Sequence, residues 1–423
     1  VNDFHNAPPA HEPVSDKSCV IVPEQSGWFA RLTLLTASHI VGTLHSVSVL
    51  AMSPIIRDEL NLSTAQIGLF MSAYYGAQSL CVFSAGALAD RVGIRVALVS
   101  AHVLLIAGAV LMATAASLIT ALVAMAIMGA GYSIINPATA RAVLEWFPSS
   151  RRATAMGIKQ TGVPVGGVLA AICGILATLT HWQNIIWLIT ALTCLNMIFC
   201  LRLGLPSQER NIANDKSHSI AQAFKAQFSN RKIRNFACVN ICLQISQANF
   251  FTFLTVFLRD VALASQPLAA ACLGLAQSTS AIGRIMWGIV CDRFYSGRRT
   301  HLVIQISIAA GFFFMLLAFV EPGPWLWIGV LATAALGLTI AAYAGLTLVI
   351  AAESAPADQT GIAVGFNLMA VYVGGVVGPP LFSLAMDILG SYRAGWLMTA
   401  AVVFVGVAIL KLGLEASPRR TED

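Results

Sequence analysis

Charge is scarce in this chain. Only 10% of its 423 residues are Asp, Glu, Lys or Arg, against roughly 25% in a soluble globular domain. So small a supply cannot cover a water-facing surface, which excludes an ordinary soluble enzyme or binding module of this length. Acids are missing above all from the apolar runs, because every Asp and Glu falls in a tail, in a loop or at the end of a run. The nine cysteines show no Cys-x-x-Cys and no zinc-type spacing. Cys238 and Cys242 share a helix face and read as small buried thiols. No cluster of His, Asp and Glu has metal or nucleophile geometry, so neither a metal nor another cofactor is expected, and an enzyme finds no support. The polar stretch 1–28 has no apolar segment behind positive charge, so it reads as a cytoplasmic tail and not as a cleaved signal peptide.

What is present is apolar length. Hydrophobic residues make up 57% of the chain, and they collect in runs of about 20, long enough to cross roughly 30 Å of hydrocarbon. The runs lie near 29–53, 64–88, 96–117, 119–146, 153–178, 183–202, 234–257, 268–290, 301–320, 325–352, 360–386 and 393–414. Backbone in the bilayer core must satisfy its own polar groups, so these are helices or a closed barrel. Barrel strands would alternate over about ten residues, and these runs do not. The expectation is an all-α membrane protein with twelve transmembrane helices in two bundles, 29–202 and 234–414, joined by a cytoplasmic linker 203–233 and followed by a tail 415–423. Within the linker, Ile220, Phe224 and Phe228 recur every fourth residue beside Lys225, Arg231 and Lys232. That pattern suits a helix lying on the anionic leaflet, although a disordered linker has the same composition.

Basic residues set the orientation. With both ends inside, the inner loops hold Arg91, Arg95, Arg151, Arg152, Arg293, Arg298 and Arg299, while the outer loops hold only Arg57, Arg259 and Arg393. The formal charge of +6 is therefore a topology signal and implies no nucleic acid.

The chain also repeats itself. Gly86, Asp90 and Arg91 return 202 residues later as Gly288, Asp292 and Arg293. Glu145, Pro148, Gly157, Gly166 and Gly167 return 208 residues later as Glu353, Pro356, Gly365, Gly374 and Gly375. Two echoes with their spacings intact make this a tandem of two membrane halves.

The stretch Gly86-Ala-Leu-Ala-Asp90-Arg91-Val-Gly93-Ile-Arg95 resembles the loop 2–3 signature of the major facilitator superfamily, and the downstream copy resembles its echo in loop 8–9. Glu145-Trp-Phe-Pro148-Ser-Ser-Arg151-Arg152 is similar to the family's loop 4–5 pattern. The resemblance spans nearly the whole chain. It implies the major facilitator fold, two six-helix bundles about a central path, with substrate held near the midplane and exposed to each side in turn. Asp90, Arg91, Arg95, Glu145, Arg151, Arg152, Asp292, Arg293 and Glu353 then stand where contacts would close the inner mouth; fixing topology is the plainer role. The fifth helix, Gly157-Ile-Lys159-Gln160-Thr-Gly162-Val-Pro164-Val-Gly166-Gly167, partly resembles the glycine motif of the superfamily's antiporters, but close helix packing accounts for most of it.

Charge inside the membrane is costly and marks function. Arg141, Lys159 and Arg284 each lie roughly 10–12 Å in from the cytoplasmic boundary at 1.5 Å per residue. Fixed positive charge without a deep carboxylate attracts anions. Arg284-Ile-Met-Trp-Gly288 resembles the eighth-helix pattern of oxalate/formate and monocarboxylate transporters, in which the arginine binds the substrate carboxylate. Arg141 is similar to the fourth-helix arginine of organic-anion:cation symporters; snorkelling or a pair with Glu145 would explain it equally. Drug/proton antiporters carry an arginine four residues before the glycine that corresponds to Gly129, and Met125 stands there.

Polar stripes at helical spacing complete the candidate substrate site: Asn240, Gln244 and Gln247 in the seventh helix, Gln277 with Ser280 in the eighth, Tyr132 and Asn136 in the fourth, Tyr343 in the tenth, Asn367 in the eleventh. Interhelical hydrogen bonding would also place them inside. His39 and His45 in the first helix are the obvious proton carriers, with hydrogen-bonded bystanders as the alternative; His102 lies similarly in the third. The expected function is secondary transport of a small organic anion, with a proton or a counter-anion as coupling ion, by a monomer in the inner-membrane bilayer. The alternative is efflux of drugs or amphiphiles.

Overall fold

The computed structural model describes residues 28–202, 228–295, 298–323, 325–353 and 360–415. Nearly all of the expected linker, with Ile220, Phe224 and Lys225, lies outside the described residues, as do both tails. Among the described residues every regular element is helical. The first half comprises α1 (Trp28–Ala51), α2 (Ser53–Glu59), α3 (Thr64–Ala113), α4 (Leu118–Trp146), α5 (Ser149–Gln160), α6 (Gly162–Leu176) and α7 (Trp182–Leu201). The second comprises α8 (Arg231–Asp260), α9 (Gln266–Phe294), α10 (Arg299–Leu317), α11 (Trp325–Leu338), α12 (Ala344–Glu353), α13 (Thr360–Leu389) and α14 (Tyr392–Glu415).

These helices make twelve membrane crossings in two bundles of six. The element count differs because helices merge and break. Gly93, at φ 81° and ψ 164°, turns the chain between two crossings that otherwise run on as α3; that backbone conformation is essentially restricted to glycine. The fifth crossing breaks at Thr161 into α5 and α6, and the tenth unwinds over 339–343 between α11 and α12. Nine described stretches are long and apolar enough to span by composition alone. α9 is not among them, because Gln277, Ser278, Thr279, Ser280 and Arg284 lower its hydropathy.

The sequence repeat is also a structural one. Gly166 sits against the Ile40 carbonyl and Gly374 against the Ile241 carbonyl, each with no room for a Cβ, so the fifth and eleventh crossings press on the first and seventh in the same way. Asn61 (φ 51°) and Leu263 (φ 54°), 202 residues apart, are the two non-glycine residues at positive φ among those described.

The halves meet along α3–α13 and α6–α9. At one end α2 and α8 are tied by ion pairs. Arg57 binds both carboxylate oxygens of Asp260, one of them at 2.9 Å, and Arg259 reaches Asp58 at 3.5 Å. These two Arg-Asp dipeptides are themselves 202 residues apart, so the clamp is reciprocal. The Tyr392 hydroxyl donates to Asp260 at 2.7 Å, and the hydrogen bonds to Asp260 hold the Arg57 proton more tightly than in a free guanidinium. Below this layer the Thr255 hydroxyl donates to the Leu50 carbonyl at 2.9 Å, and the Gln266 amide to Ala51 at 2.8 Å. Inter-half contacts continue to mid-depth, where Gln277 lies on Gly167 and Tyr75 on Gly375. Further along, Gly157, Gly288 and Gly345 face open space.

Candidate functional site

The polar stripes converge where the inter-half packing reaches mid-depth. Tyr75 of α3 stacks on Tyr372 of α13 with ring centroids 6.4 Å apart. Tyr74 packs edge-on against Tyr75 at 5.7 Å and tilted against Tyr132 of α4 at 6.2 Å. The Tyr343 hydroxyl donates to Gln244 Oε1 at 3.2 Å, and Tyr75 lies close to the same glutamine. Arg284 of α9 lies within electrostatic reach of Tyr343 and, across the divide, of Tyr132. Five phenols and a guanidinium thus share the centre. Tyr74, Tyr75 and Tyr372 were not anticipated, since a tyrosine within an apolar run reads as core and carries no charge cost to mark it.

Arg284 is half-buried and under-used. Its single hydrogen bond runs from Nη2 to the Ala341 carbonyl at 3.4 Å, and its buried Nε has no partner. Ala341 lies in the unwound stretch of the tenth crossing, where backbone carbonyls have lost their helical donors. Ser280 Oγ donates to the same carbonyl at 2.8 Å, and Gln247 Nε2 at 3.4 Å. Trp287 Nε1 donates to Leu338 at 2.6 Å. Side chains of α8 and α9 therefore hold the break open, and the arginine fork remains available for a carboxylate, which it matches in a bidentate geometry.

Lys159 sits apart from this cluster. It is fully buried at the C-terminal end of α5, and donates to Thr139 Oγ1 at 3.0 Å and Asn136 Oδ1 at 3.3 Å. Thr139 also bonds His39 Nε2 at 2.9 Å. Tyr132 links this group to the centre: its hydroxyl lies 3.3 Å from Thr43, and its ring meets His39 edge-on. Asn240 Nδ2 donates to Asn367 Oδ1 at 2.7 Å, within the second half. His45 donates from Nδ1 to the Val41 carbonyl at 2.9 Å, leaving Nε2 without a partner. His102 is satisfied on both sides, by the Leu98 carbonyl at 2.6 Å and the Asn196 amide at 2.7 Å.

Arg141 lies outside the central group. It pairs with Glu145 at 2.5 Å and donates to the Ala89 carbonyl at 2.6 Å. Arg152 closes the end of α4 by donating to the Leu144 and Phe147 carbonyls at 2.8 and 3.0 Å. Arg91, Arg151, Asp292 and Arg293 are exposed near the same end, and Arg95 is half-buried. The side chains of Asp90 and Glu353 lie outside the described residues. Met125, where the drug/proton antiporters carry arginine, is fully buried.

Comparison with known proteins agrees with this architecture. A hexuronate transporter of Bacillus subtilis (strain 168) is 28% identical over 155 residues, 36% of this chain and 36% of the relative, so that alignment spans about a third of the relative's length. A probable sulfoacetate transporter of Cupriavidus necator is 24% identical over 402 residues, covering 89% of this chain and 91% of the relative. The crystal structure of a bacterial homologue of the human lysosomal transporter Spinster superposes with a TM-score of 0.74 at 17% identity, covering 92% of this chain and 97% of that one. The sequence model of the Major Facilitator Superfamily matches residues 34–379, and this chain belongs to that family.

Proposed function

We propose that this protein is a secondary active transporter that moves a small organic anion, a carboxylate, through the bilayer by alternating access. The observation that carries the reading is Arg284, a cation at the meeting point of the halves with an unpartnered buried Nε and, among the described residues, no carboxylate paired with it. A charge in such a place is retained at a cost, and an arriving anion offsets that cost. Gln244, Gln247, Gln277, Tyr132 and Tyr343 supply hydrogen bonds around it. Similarity to hexuronate and sulfoacetate transporters, whose named substrates are organic anions, supports the same class. The clamp at the Arg57–Asp260 end and the open space beyond mid-depth suit a path that opens towards the Arg91 and Arg152 end. By the basic-residue rule that end is cytoplasmic, with both termini inside and the protein in the inner membrane. Arg91, Arg95, Arg151, Arg152, Asp292 and Arg293, with Asp90, Glu145 and Glu353, would form the contacts that close it. Coupling is to a proton, with His39 and His45 as candidate carriers, or to a counter-anion. Drug efflux gains nothing from a centre with a free cation and no acid.

The test is binding and flux in purified, reconstituted protein, with glucuronate and sulfoacetate as probes. Arg284→Gln loses a charge-assisted hydrogen bond, costing roughly 1.5–3 kcal/mol, about 10- to 100-fold in affinity, while Arg284→Lys retains part of it. Wild-type affinity in Arg284→Gln overturns the assignment.

A further inference from the structure

Lys159 is a buried cation that the anion site does not use. It exposes no surface, and neither of its hydrogen-bond partners is charged. Three elements pack on α5: α1, α4 and α6. α1 presents His39; its other titratable groups are His45, bound to Val41, and Arg31, which lies over the Trp146 ring at 5.6 Å. α4 presents Tyr132, and Arg141 with its partner Glu145. α6 carries only Cys173. α5 itself adds Arg151, which is exposed, and Arg152, which is bound to the end of α4. No carboxylate is paired with Lys159 among the described residues.

Hydrogen-bond accounting fixes the protonation of this group. The Thr139 hydroxyl has one proton to give, and it goes to the Ile135 carbonyl at 2.7 Å. Its oxygen therefore accepts from both Lys159 Nζ and His39 Nε2. With the Thr139 proton on that carbonyl, His39 is assigned the Nε2–H tautomer; the other tautomer would bury an Nδ1–H with no acceptor. A second proton on His39 would sit on that Nδ1 with nothing to accept it, close to a charged lysine. The group holds one positive charge at most. A neutral Lys159 amine has two N–H bonds, and the structure offers two acceptors, Thr139 and Asn136. Losing its proton therefore costs Lys159 neither hydrogen bond.

The second half provides a comparison. Asn367 stands 208 residues after Lys159, the offset of the repeat, and Asn240 is one position from the counterpart of His39 at the 202-residue offset. Those two asparagines bond each other directly at 2.7 Å. The corresponding contact between the seventh and eleventh crossings is thus made, among the described residues, by two side chains that do not titrate. Charge at Lys159 is not what the packing requires.

We propose that Lys159, Thr139 and His39 form a one-charge proton site, in which Lys159 takes up and releases the proton coupled to anion movement and His39 is held neutral. On release the ammonium proton goes directly to a water molecule that reaches Nζ from the side of Asn136 and Gln160, whose amides orient that water without carrying the proton. Both are half-buried and share a hydrogen bond at 3.4 Å beside the lysine. Tyr132 stands between this site and Arg284, which gives charge in one a path to influence the other. The proposal rests on the transport reading above and moves the proton from the histidine to the lysine.

Two measurements on the full chain test it. In proteoliposomes with glucuronate as probe, an inward acid gradient drives accumulation of about tenfold per pH unit for one proton per anion. Lys159→Asn, the residue the other half carries, abolishes that accumulation and keeps glucuronate exchange, and Lys159→Arg does the same because its charge is fixed. Nitrogen-15 NMR of labelled histidines needs no substrate. His39, assigned by its loss in His39→Gln, remains the neutral Nε2–H form across about pH 5–8 in wild type and takes a second proton at a higher pH in Lys159→Asn than in wild type. Gradient-driven accumulation surviving in Lys159→Asn, or identical His39 behaviour in the two proteins, overturns the proposal. Failure of wild type to move glucuronate counts against the substrate class alone, and the NMR comparison then decides the shared charge.

Discussion

Arg284 and Ser280 converge on one backbone oxygen, that of Ala341, and this suggests how an anion is felt by the protein. Ser280 and Gln247 also donate to it, so the carbonyl stays satisfied when the guanidinium turns to a ligand. The Ser280 hydroxyl bond, at 2.8 Å, is the best of the three. Ser280→Ala should then tighten Arg284 onto Ala341 and weaken anion binding several-fold. The stability cost should stay near the roughly 1 kcal/mol of a neutral hydrogen bond. Glucuronate affinity and melting temperature of the variant read the two effects separately; unchanged affinity would mean that the carbonyl does not compete for the arginine. Residue-level signals of this kind were legible where burial is expensive. Arg284, Lys159 and the glutamine stripe announce themselves because charge and amides are rare in apolar runs. Tyr74, Tyr75 and Tyr372 do not, and the position of Lys159 behind Tyr132 depends on rotamers that no spacing records.

Helices were read well in existence and poorly in continuity. The expected twelve crossings are present, because a length of about 20 apolar residues has few other solutions in lipid. The break at Thr161 falls three residues before Pro164, a residue type that disrupts a helix interior. The unwinding over 339–343 carries no such mark, since Thr-Ile-Ala-Ala-Tyr contains neither Gly nor Pro. It is imposed from outside, by Ser280, Gln247 and Trp287. Gly93 and Gly166 separate two reasons for a glycine in this fold. A Cβ on Gly93 meets nothing within 4 Å, whereas one on Gly166 would come within 2.6 Å of the Ile40 carbonyl. Gly93→Ala should therefore cost about 1–3 kcal/mol through backbone strain alone and leave transport rates near normal. Gly166→Ala forces α1 and α6 apart, an overpacking cost of about 1–3 kcal/mol, and should slow transport as well. Thermal unfolding and exchange rates of the two variants check this, and equal loss of transport in both would remove the distinction.

The whole molecule is a tandem whose halves are tied at one end by the same dipeptide used twice. Arg57-Asp58 and Arg259-Asp260 read in sequence only as outer-loop charge; that each arginine reaches the other half's aspartate depends on the pseudo-twofold arrangement. Exposed ion pairs contribute little singly, about 0–1 kcal/mol, but Arg57 and Asp260 keep only 16% and 27% of their side-chain surface. Both oxygens of Asp260 are engaged, and Tyr392 adds a third donor. A difference of about 1.4 kcal/mol between states moves a population tenfold, so a clamp present in one state and absent in the other can set the resting conformation. Asp260→Asn should weaken it by about 1 kcal/mol after allowance for solvent screening, shifting several-fold more molecules to a form parted at this end. Added salt should do the same to wild type and little to the variant. Spin labels on cysteines replacing Asn61 and Ser265, both exposed near the clamp, report the separation by pulsed electron resonance in an otherwise cysteine-free protein. A longer-distance population that grows in Asp260→Asn and shrinks again in the exchanged pair Arg57→Asp with Asp260→Arg is the expected result. Identical distance distributions in wild type and Asp260→Asn would mean that the pairs decorate a closure held by the layer beneath, where Thr255 and Gln266 bind the end of α1.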